Sequence, residues 1–522
     1  MSGLSLTLQV MRWVIAVVVV AAAGAACSGS DAGDPTTTTG PVAATTTLPT
    51  ASTASTTSST STSTPPETTA TSEAATKTAA AGAAGIGDPF YPDLGNGGYD
   101  VDRYLLELDF DPVTTDLAAT TTIESTATMD LARFNLDFRG FEIVSLLIDG
   151  AAADYERQGS ELVVEPPAAI PAGSPFTTTI SYAGRPEPVA SRAIPFGMGW
   201  QSTASGHHYV VAEPDAAHSW FPTNDHPRDK AIYTFRITVP DGVTAAANGI
   251  LVETVPTAGG AAWVWEMDDP MASYLATIVI GDFEIVEDRA SAEIAGVPVR
   301  NVLPPELAAA PPVAVQRQGE MIAFLADRFG PYPFATYGIA VVDDFGAALE
   351  NQTLSIFGAG LESNEAIIIH ELAHQWFGDG VSTYTWEDIW LNEGFASYAE
   401  WLWLEEQQGP EFLAVGISGE RDRFAAAEES GSAAFPPPGS PPDDDLFNAS
   451  VYRIGAMTLH ALRLTVGDEA FFETLRTYFA RYNEAAATTA DFIAVAEEVS
   501  GQDLGDLFDQ WLYGDSIPEF PT

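Results

Sequence analysis

Two histidines and a glutamate stand at a spacing that could carry out chemistry on a metal ion. Residues 370–374 read HELAH and follow an apolar run at 367–369. On a helix, residues four apart lie on one face, so His370 and His374 can reach a single Zn²⁺ while Glu371 stands beside them to handle a bound water. Two histidines four apart on an apolar helix can also be core residues, and this motif alone leaves both interpretations open.

A third candidate ligand, Glu393, stands after an interval of eighteen residues from His374, in the segment 390–396 that reads WLNEGFA. Two antiparallel helices packed through their apolar faces would bring this carboxylate to the third ligand position and leave the fourth for water. This second segment argues against core histidines and against a solvated helix-end acid. The sequence therefore predicts one Zn²⁺ per chain, bound by His370, His374 and Glu393.

The same segments resemble a known family. His-Glu-x-x-His followed after eighteen residues by Asn-Glu is similar to the gluzincin metallopeptidases. The flanking QWFG at 375–378 and WLNEG at 390–394 resemble the aminopeptidase N family in particular, in a short bacterial lipoprotein form. The resemblance runs from about residue 99 to the last residue. It implies a metallo-aminopeptidase, a hydrolase that cleaves the N-terminal peptide bond of peptides by metal-activated water.

The resemblance implies residues that bind the free α-amine of the substrate. Glu350 and Asn351 match a family segment, Gly-Ala-Met-Glu-Asn, whose glutamate binds that amine, although Ala347 and Leu349 replace its glycine and methionine. A second amine-binding glutamate of the family, contributed by its β domain, has its counterpart in Glu213. The alternative for Glu213 is a solvated acid in a loop.

The resemblance also implies a tyrosine that stabilises the oxyanion, and Tyr452, which precedes a Gly-Ala pair, fits that position. An ordinary core tyrosine is the alternative. Seven residues beyond Glu393, Glu400 returns to nearly the same helical face and could accept the second N–H of a ligand histidine. Asn392 is a second candidate for that supporting role.

These assignments predict a mechanism. Glu371 takes a proton from the attacking water and passes it to the leaving amine, while Zn²⁺ and Tyr452 share the developing negative charge. Glu350 and Glu213 fix the N-terminus, so that only the first peptide bond reaches the metal. The rival functions are a zinc endopeptidase or processing protease, and a catalytically idle surface binding protein with the same fold.

The elements that position these residues follow from the periodicity of apolar side chains. Short alternating segments between about 99 and 284 predict a mostly antiparallel β domain, with strands such as 104–110, 176–182, 233–239 and 274–280. After a few strand-like pieces, including 337–342, helical periodicity covers 366–377, 389–405, 452–466, 469–482 and 489–499. The fold class is multidomain α+β, and the resemblance implies a saddle-like β domain followed by a thermolysin-like, mainly helical catalytic domain.

The first residues indicate export and lipid attachment. Arg12 precedes an apolar run at 13–23, which is short for a membrane span and has the length of a signal-peptide core. Small residues then lead to Cys27, which resembles the lipobox cysteine of bacterial lipoproteins. We expect a lipid anchor on the outer side of the cell membrane, with secretion as the alternative, and translation that starts at Met1 or Met11.

The predicted organisation is a signal peptide at 1–27, a disordered Thr/Ser/Ala-rich linker at 28–86, a β domain at 87–284 and the zinc peptidase domain at 285–522. Acidic residues outnumber basic ones 72 to 21, for a net charge of -51. Such a surface repels phosphate backbones, so we expect no nucleic-acid partner. The single cysteine excludes a disulfide within one chain. The expected protein is a monomer whose partners are peptides with a free N-terminus.

Overall fold

The structure is a computed structural model that describes residues 79–432 and 435–522. The expected signal peptide, the expected lipidation site at Cys27 and most of the expected linker lie outside the described residues. Among the helices of these two described ranges, none combines the length and the apolar character needed to cross a membrane.

The strands, in chain order, are β1 (Ala80–Ala81), β2 (Tyr99–Asp111), β3 (Asp116–Ala127), β4 (Leu131–Asp137), β5 (Glu142–Ile148), β6 (Ala151–Ala152), β7 (Asp154–Gln158), β8 (Glu161–Glu165), β9 (Pro175–Gly184), β10 (Val189–Ala190), β11 (Gly197–Ser202), β12 (His208–Val211), β13 (Ala231–Pro240), β14 (Thr244–Ala247), β15 (Ile250–Thr257), β16 (Gly260–Met271), β17 (Ile278–Gly281), β18 (Glu284–Glu287), β19 (Arg300–Leu303), β20 (Ile339–Val342), β21 (Ala348–Leu349), β22 (Ser355–Gly358), β23 (Ser382–Thr383) and β24 (Ala486–Ala487).

The helices are α1 (Arg289–Ala295), α2 (Pro305–Ala309), α3 (Gln318–Phe329), α4 (Glu365–Ala373), α5 (Trp390–Gln408), α6 (Pro410–Glu429), α7 (Gly455–Val466), α8 (Asp468–Tyr482), α9 (Thr489–Ser500) and α10 (Gly505–Leu512). A π-helical turn at Ser450–Ile454 leads directly into α7. The sequence pattern predicted α4, α5 and α7 to α9, but it did not predict α3 or α6.

The N-terminal part consists of β-sheets, as predicted. Its largest sheet has the strand order β15-β16-β13-β2-β3-β9-β5-β6, and next to it lie a sheet β10-β11-β12-β17-β14 and a sheet β1-β4-β8-β7. Neighbouring strands are mostly antiparallel, with β2 and β13 as a parallel pair. Along β2, Tyr104, Leu106, Leu108 and Phe110 are buried while the residues between them are more exposed. This alternation forms the sheet because successive side chains point to opposite faces.

The C-terminal part begins with a sheet in the order β18-β19-β20-β22-β21 and continues as packed helices. In this sheet β19, β20 and β22 are parallel, and β21 is an antiparallel strand at the edge. Helix α5 packs against both α4 and α7, with Leu372, Phe395 and Leu459 among the buried residues of the three helices. The predicted α+β class, with a β-rich domain before a mainly helical catalytic domain, is confirmed.

The predicted strand at 274–280 is partly wrong. Ser273–Leu275 forms a 3₁₀ turn, and β17 begins only after it. The Leu275 carbonyl accepts hydrogen bonds from the side chains of Asn248 and Asn351, at 3.0 and 3.1 Å, and therefore takes no part in a strand ladder. This turn connects the β domain to the segment that carries Glu350.

The expected linker boundary at residue 86 is also too late. Strand β1 pairs in parallel with β4, and the Gly82 N–H donates to the Arg133 carbonyl. A few residues on, Asp88 is buried and accepts hydrogen bonds from the backbone N–H groups of Phe90, Tyr91 and Trp386. The small side chains of β1 gave no periodic signal in the sequence, because its pairing with β4 is made by backbone hydrogen bonds.

Asp88 joins the start of the fold to both domains. Its second oxygen lies 3.0 Å from Nε2 of buried His226 in the β domain and 2.9 Å from the Trp386 nitrogen in the catalytic domain. Burial alone raises the pKa of Asp88, but the hydrogen bonds from His226 and the three backbone groups lower it below its usual value. Folding therefore favours the ionised carboxylate.

We expect Asp88→Ala to lower the free energy of unfolding by about 3 kcal/mol at neutral pH, because four donors lose a buried, charged acceptor. Because the pKa is lowered on folding, this contribution is present above the unfolded value and declines as the pH falls below about 4. Urea unfolding of both proteins from pH 3 to 7 measures the difference. Exposed Asp93→Ala is the matched control; equal stability of the two variants would contradict the assigned role.

Candidate active site

Helix α4 carries the HELAH segment. Its N-terminus is capped by Asn364, whose side-chain oxygen accepts the Ala366 N–H at 3.1 Å. Ile368 and Ile369, the two residues before His370, are fully buried and hold the helix against the core. His370 and Glu371 lie in its C-terminal part, and His374 is the C-cap residue directly after Ala373. All three side chains are buried, at 8%, 6% and 1% exposure.

The three predicted ligands converge. Glu393 stands in the first turn of α5, and its Oε2 lies 3.2 Å from Nε2 of His370 and 3.6 Å from Nε2 of His374. One donor atom from each residue lies within 4.8 Å of the others. Two imidazole nitrogens and one carboxylate oxygen are a donor set that Zn²⁺ accepts, and three protein ligands leave a position open for water. The residues therefore fit the metal.

Each histidine is oriented by a bond to its other ring nitrogen. Nδ1 of His370 lies 2.9 Å from Oε1 of Glu400, and Nδ1 of His374 lies 3.1 Å from the carbonyl oxygen of Phe377. Because a carbonyl can only accept, His374 carries its proton on Nδ1 and presents the Nε2 lone pair to a metal. The Phe377 carbonyl was not predicted, since every residue has one and no side-chain type marks it.

Asn392, the second candidate for that supporting role, is placed differently. Its amide is buried beside Gly378, and within the described ranges neither its nitrogen nor its oxygen has a hydrogen-bond partner. The expectation that it supports a ligand histidine is therefore wrong. The Nδ1 atoms of His370 and His374 are bonded to Glu400 and to the Phe377 carbonyl, so neither donates to Asn392.

Burial and the two imidazoles give Glu371 and Glu393 different proton affinities. Burial raises the pKa of Glu371 to about 8, although His370 and His374 oppose the shift. Burial also raises the pKa of Glu393, but the neighbouring His374 and the hydrogen bonds from both histidines lower it to about 2. Glu393 therefore remains an ionised ligand, while Glu371 has the near-neutral proton affinity that suits a general base.

Two further acids, Glu350 and Glu213, share this buried space. Glu350 follows edge strand β21, and it lies with Glu371 and His374 in a group whose donor atoms are within 4.8 Å of one another. Glu213 follows β12 of the other domain. Burial raises its pKa well above the usual range, and repulsion from Glu350, Glu393 and Glu371 raises it further.

Both carboxyl groups have an unsatisfied oxygen. Oε1 of Glu213 and Oε1 of Glu350 are buried with no hydrogen-bond partner in the part of the chain that the structure describes. Buried carboxylates are stable only when a proton, a donor or a cation compensates them. This pair is therefore prepared for a positively charged group, and Glu213 is not the solvated loop acid of the alternative interpretation.

Asn351 is fully buried next to Glu350. Its amide nitrogen donates to the Leu275 carbonyl at 3.1 Å, and its side-chain oxygen has no partner among the described residues. The nitrogen is therefore used to fasten the Glu350 segment to the β domain. The free side-chain oxygen can accept a hydrogen bond from a substrate amine while that bond stays intact, so the expected amine-binding role of Asn351 stays a prediction.

Tyr452 lies in the π-helical turn before α7 and faces the ligand histidines. Its ring is nearly parallel to that of His370, at 18° and with 6.0 Å between centroids, and it is only half-buried. Burial and the neighbouring Glu393 raise the pKa of Tyr452 well above its usual value, so the hydroxyl keeps its proton and can donate it in a hydrogen bond. Single π-helical turns are frequent at functional sites.

Two glycines allow the Tyr452 turn to approach the ligand helix. A Cβ at Gly394 would lie 3.0 Å from the carbonyl carbon of Gly455, and a Cβ at Gly455 would lie 3.1 Å from the Cα of Gly394. Gly394 directly follows Glu393, so α5 and α7 touch backbone to backbone at the site. The Gly-Ala context of Tyr452 therefore has a steric cause.

Sequence reasoning did not identify two charged residues near the site. Arg453 and Glu420 are both buried, and Arg453 contacts Glu400, the residue bonded to His370. The only sequence signal was an arginine beside the candidate tyrosine. Its partner Glu420 lies on α6, a helix that the apolar pattern did not reveal.

We expect Gly455→Ala to lower the free energy of unfolding by about 1–3 kcal/mol, because the added methyl group separates two helices in backbone contact. Gly416→Ala is the matched control. This glycine lies inside α6 with open space around its Cβ position, and alanine there is expected to stabilise the protein by about 0.5–1 kcal/mol. Urea unfolding measures both variants; a Gly455→Ala protein as stable as the parent would contradict the close-packing argument.

Known proteins share both parts of this chain. Residues 100–275 match the Peptidase M1 N-terminal domain, and residues 313–511 match the Peptidase family M1 domain. A crystal structure of a mutant M1 zinc metallopeptidase from Deinococcus radiodurans, bound to a Tyr-Ser-Ala substrate, superposes with a TM-score of 0.75 and 30% sequence identity, covering 84% of this chain and 99% of that one.

Two curated relatives are longer. Aminopeptidase N of Streptomyces lividans is 29% identical over 58% of this chain and 38% of its own length. Aminopeptidase M1 of Arabidopsis thaliana is 28% identical over 57% of this chain and 36% of its own length. The chain thus spans little more than a third of these relatives. The resemblance to the aminopeptidase N family is confirmed, and with both domains matched the chain belongs to the M1 family of zinc metallopeptidases.

Proposed function

We propose that this protein is a zinc-dependent aminopeptidase that removes the N-terminal residue of peptides. The observation that carries the proposal is the pair of unpartnered buried carboxylates, Glu213 and Glu350, beside the convergent ligands. A peptide's α-amine has an unperturbed pKa of about 7.7–8.0, and two carboxylates favour its protonated form. An amine is the cation that an aminopeptidase must bind.

The position of these acids sets the cleavage point. Donor atoms of Glu350, Glu371 and His374 lie within 4.8 Å of one another, so an amine bound to Glu350 would be held next to the catalytic groups. Glu213, from the β domain, is the second buried carboxylate available to the same amine. Fixing the N-terminus in this way converts a general hydrolytic site into one for the first peptide bond.

The catalytic groups have the properties that peptide hydrolysis requires. His370, His374 and Glu393 would hold Zn²⁺, which supplies Lewis acidity toward water and the scissile carbonyl when it is bound. Glu371 accepts a proton from the attacking water and delivers it to the leaving amine. Tyr452 donates a hydrogen bond to the oxygen that becomes negative, the kind of preorganised contact that is often the largest catalytic contribution.

Names of relatives support this proposal. The Streptomyces lividans and Arabidopsis thaliana relatives are named aminopeptidases, and the Deinococcus radiodurans enzyme binds a Tyr-Ser-Ala substrate in its crystal structure. That enzyme is matched over 99% of its chain, so its extent is the same as that of the two domains described here. One chain contains every residue of the proposed site, and we propose that it acts as a monomer.

We also propose that the protein is attached to the outer side of the membrane through a lipid on Cys27. The support is the lipobox-like sequence after an apolar run, followed by a Thr/Ser/Ala-rich stretch suited to a tether. Secretion without a lipid is the alternative.

The aminopeptidase proposal predicts a strict need for a free amine. Zinc-loaded protein should cleave aminoacyl amide reporters and leave their N-acetylated forms intact, because acetylation removes the charge that Glu213 and Glu350 bind. Chelation should abolish turnover, and added Zn²⁺ should restore it. Cleavage of the acetylated substrates would instead support the endopeptidase, and absence of turnover with bound zinc would support an idle binding protein.

Glu350→Gln separates amine recognition from metal binding. Losing one partner of a buried charge pair should lower kcat/KM for aminoacyl amides by about 30-fold or more, chiefly through KM. Zinc content should stay at one ion per chain, since Glu350 is not among the three ligands. Exposed Glu411→Gln is the control. Unchanged KM in Glu350→Gln, measured by steady-state kinetics at saturating zinc, would show that the amine binds elsewhere.

The lipid proposal has a direct test, because Cys27 is the only cysteine of the chain. In cells fed a clickable fatty acid, the parent protein should be labelled and sediment with membranes, and Cys27→Ser should be unlabelled. A parent protein that carries no label would contradict attachment at this residue.

A further inference from the structure

A chain of buried charges connects helix α6 to a proposed zinc ligand. Nδ1 of His370 contacts Oε1 of Glu400 at 2.9 Å, and the other oxygen, Oε2, accepts a hydrogen bond from Arg453 at 3.2 Å. Nε of Arg453 lies 3.8 Å from Oε1 of Glu420. None of these four residues is more than 8% exposed. The two oxygens of Glu400 are therefore divided between the ligand histidine and the arginine.

Arg453 fixes the orientation of the Glu400 carboxylate. With Oε2 held by the guanidinium, Oε1 remains in place to accept the His370 N–H, so the imidazole keeps its Nε2 directed at the site. A carboxylate with one of its two oxygens unpaired could rotate or draw in water, and the ring would lose its fixed orientation. Partners of this kind around metal ligands typically change metal affinity or activity 10–100-fold when removed.

Arg453 also directly follows Tyr452 in the π-helical turn. Its ion pairs with Glu400 on α5 and Glu420 on α6 fasten this turn from two sides. On the neighbouring residue, the Tyr452 ring is nearly parallel to the His370 ring. One guanidinium thus fixes two groups of the site: a ligand histidine through Glu400, and the tyrosine through the shared backbone.

We propose that Arg453 is a positioning residue that sets the orientation of both His370 and Tyr452, with Glu420 as its outer support. The inference rests on the proposed function for the role of Tyr452, and on the zinc site for the role of His370. It predicts two separable losses when the guanidinium is changed: weaker zinc binding through His370, and slower turnover through Tyr452.

The chain supplies a matched control on the same pair of helices. Arg463 lies farther along α7 and also bridges two acids, Glu405 on α5 at 2.7 Å and Asp468 at 2.9 Å. Its side chain is 11% exposed, close to the 7% of Arg453. It contacts neither Glu400 nor a ligand histidine through these bonds. A substitution there removes a comparable ion pair without disturbing the site.

The test compares Arg453→Lys and Arg453→Met with Arg463→Lys and Arg463→Met. Zinc affinity is measured by competition with a chromogenic chelator, and kcat and KM by aminoacyl amide hydrolysis at saturating zinc. We expect Arg453→Met to weaken zinc binding about 10–100-fold and to lower kcat about tenfold or more, with KM changed less than about threefold. Lysine keeps the charge without the forked geometry, so Arg453→Lys should lie between parent and Arg453→Met.

Both Arg463 variants should keep zinc affinity and kcat within about twofold of the parent, even though breaking a buried pair lowers their stability. If the Arg453 variants lose stability but keep zinc affinity and kcat, or if the Arg463 variants show the same losses, the proposal is overturned. Should Arg453→Met not fold, Arg453→Lys decides by the same readouts. The chelator competition needs no substrate, so an inactive parent would refute the proposed function and leave the His370 half of this inference testable.

Discussion

Mutual repulsion among buried carboxylates is the constraint on which the rest of the site depends. Glu213, Glu350, Glu371 and Glu393 are all 2–6% exposed, and their pKa shifts depend on one another. Such a group is unfavourable unless cations compensate it. The two imidazoles partly compensate Glu393, and a divalent metal and a substrate amine would compensate the remainder. The repulsion that costs stability would then favour the binding of both cations.

The site needs contact between the two domains, because its acids come from both of them. Glu213 follows a strand of the β domain, and Glu350 follows the edge strand of the catalytic domain. Buried side-chain to backbone bonds fix their relative position: Asn351 donates to the Leu275 carbonyl, and Lys230 donates to the carbonyls of Asp379 and Gly380. Bonds of this kind are directional and resist sliding of one domain over the other. The distance between the acids is therefore set by the interface.

Residue spacing was sufficient to predict that His370, His374 and Glu393 converge, and apolar periodicity together with the family resemblance predicted the fold class. His370 and His374 share one face of a helix, and packing of α4 on α5 brings Glu393 to them across a connection, 374–389, that contains β23. Glu400 was found by the same helical arithmetic. The alternating strands were found where one face is buried, because that burial imposes a period of two.

The features that the sequence did not predict depend on contacts between distant residues, which leave no local pattern. The 274–280 segment is apolar enough for a strand, but its carbonyl at Leu275 is taken by two side chains from other parts of the chain. The Phe377 carbonyl has no side-chain signal at all. Arg453 could be assigned only when α6 brought Glu420 to it, and α6 itself alternates small and charged residues too irregularly to be predicted.

A crystal structure of the Glu371→Gln protein with zinc and an unhydrolysed peptide would test most directly whether Glu213 and Glu350 bind the substrate amine beside the metal ligands. We predict a metal bound by His370, His374 and Glu393, and a peptide whose α-amine lies within hydrogen-bond distance of both Glu213 and Glu350. A peptide chain that continues past these two carboxylates, or an amine bound away from them, would contradict this prediction.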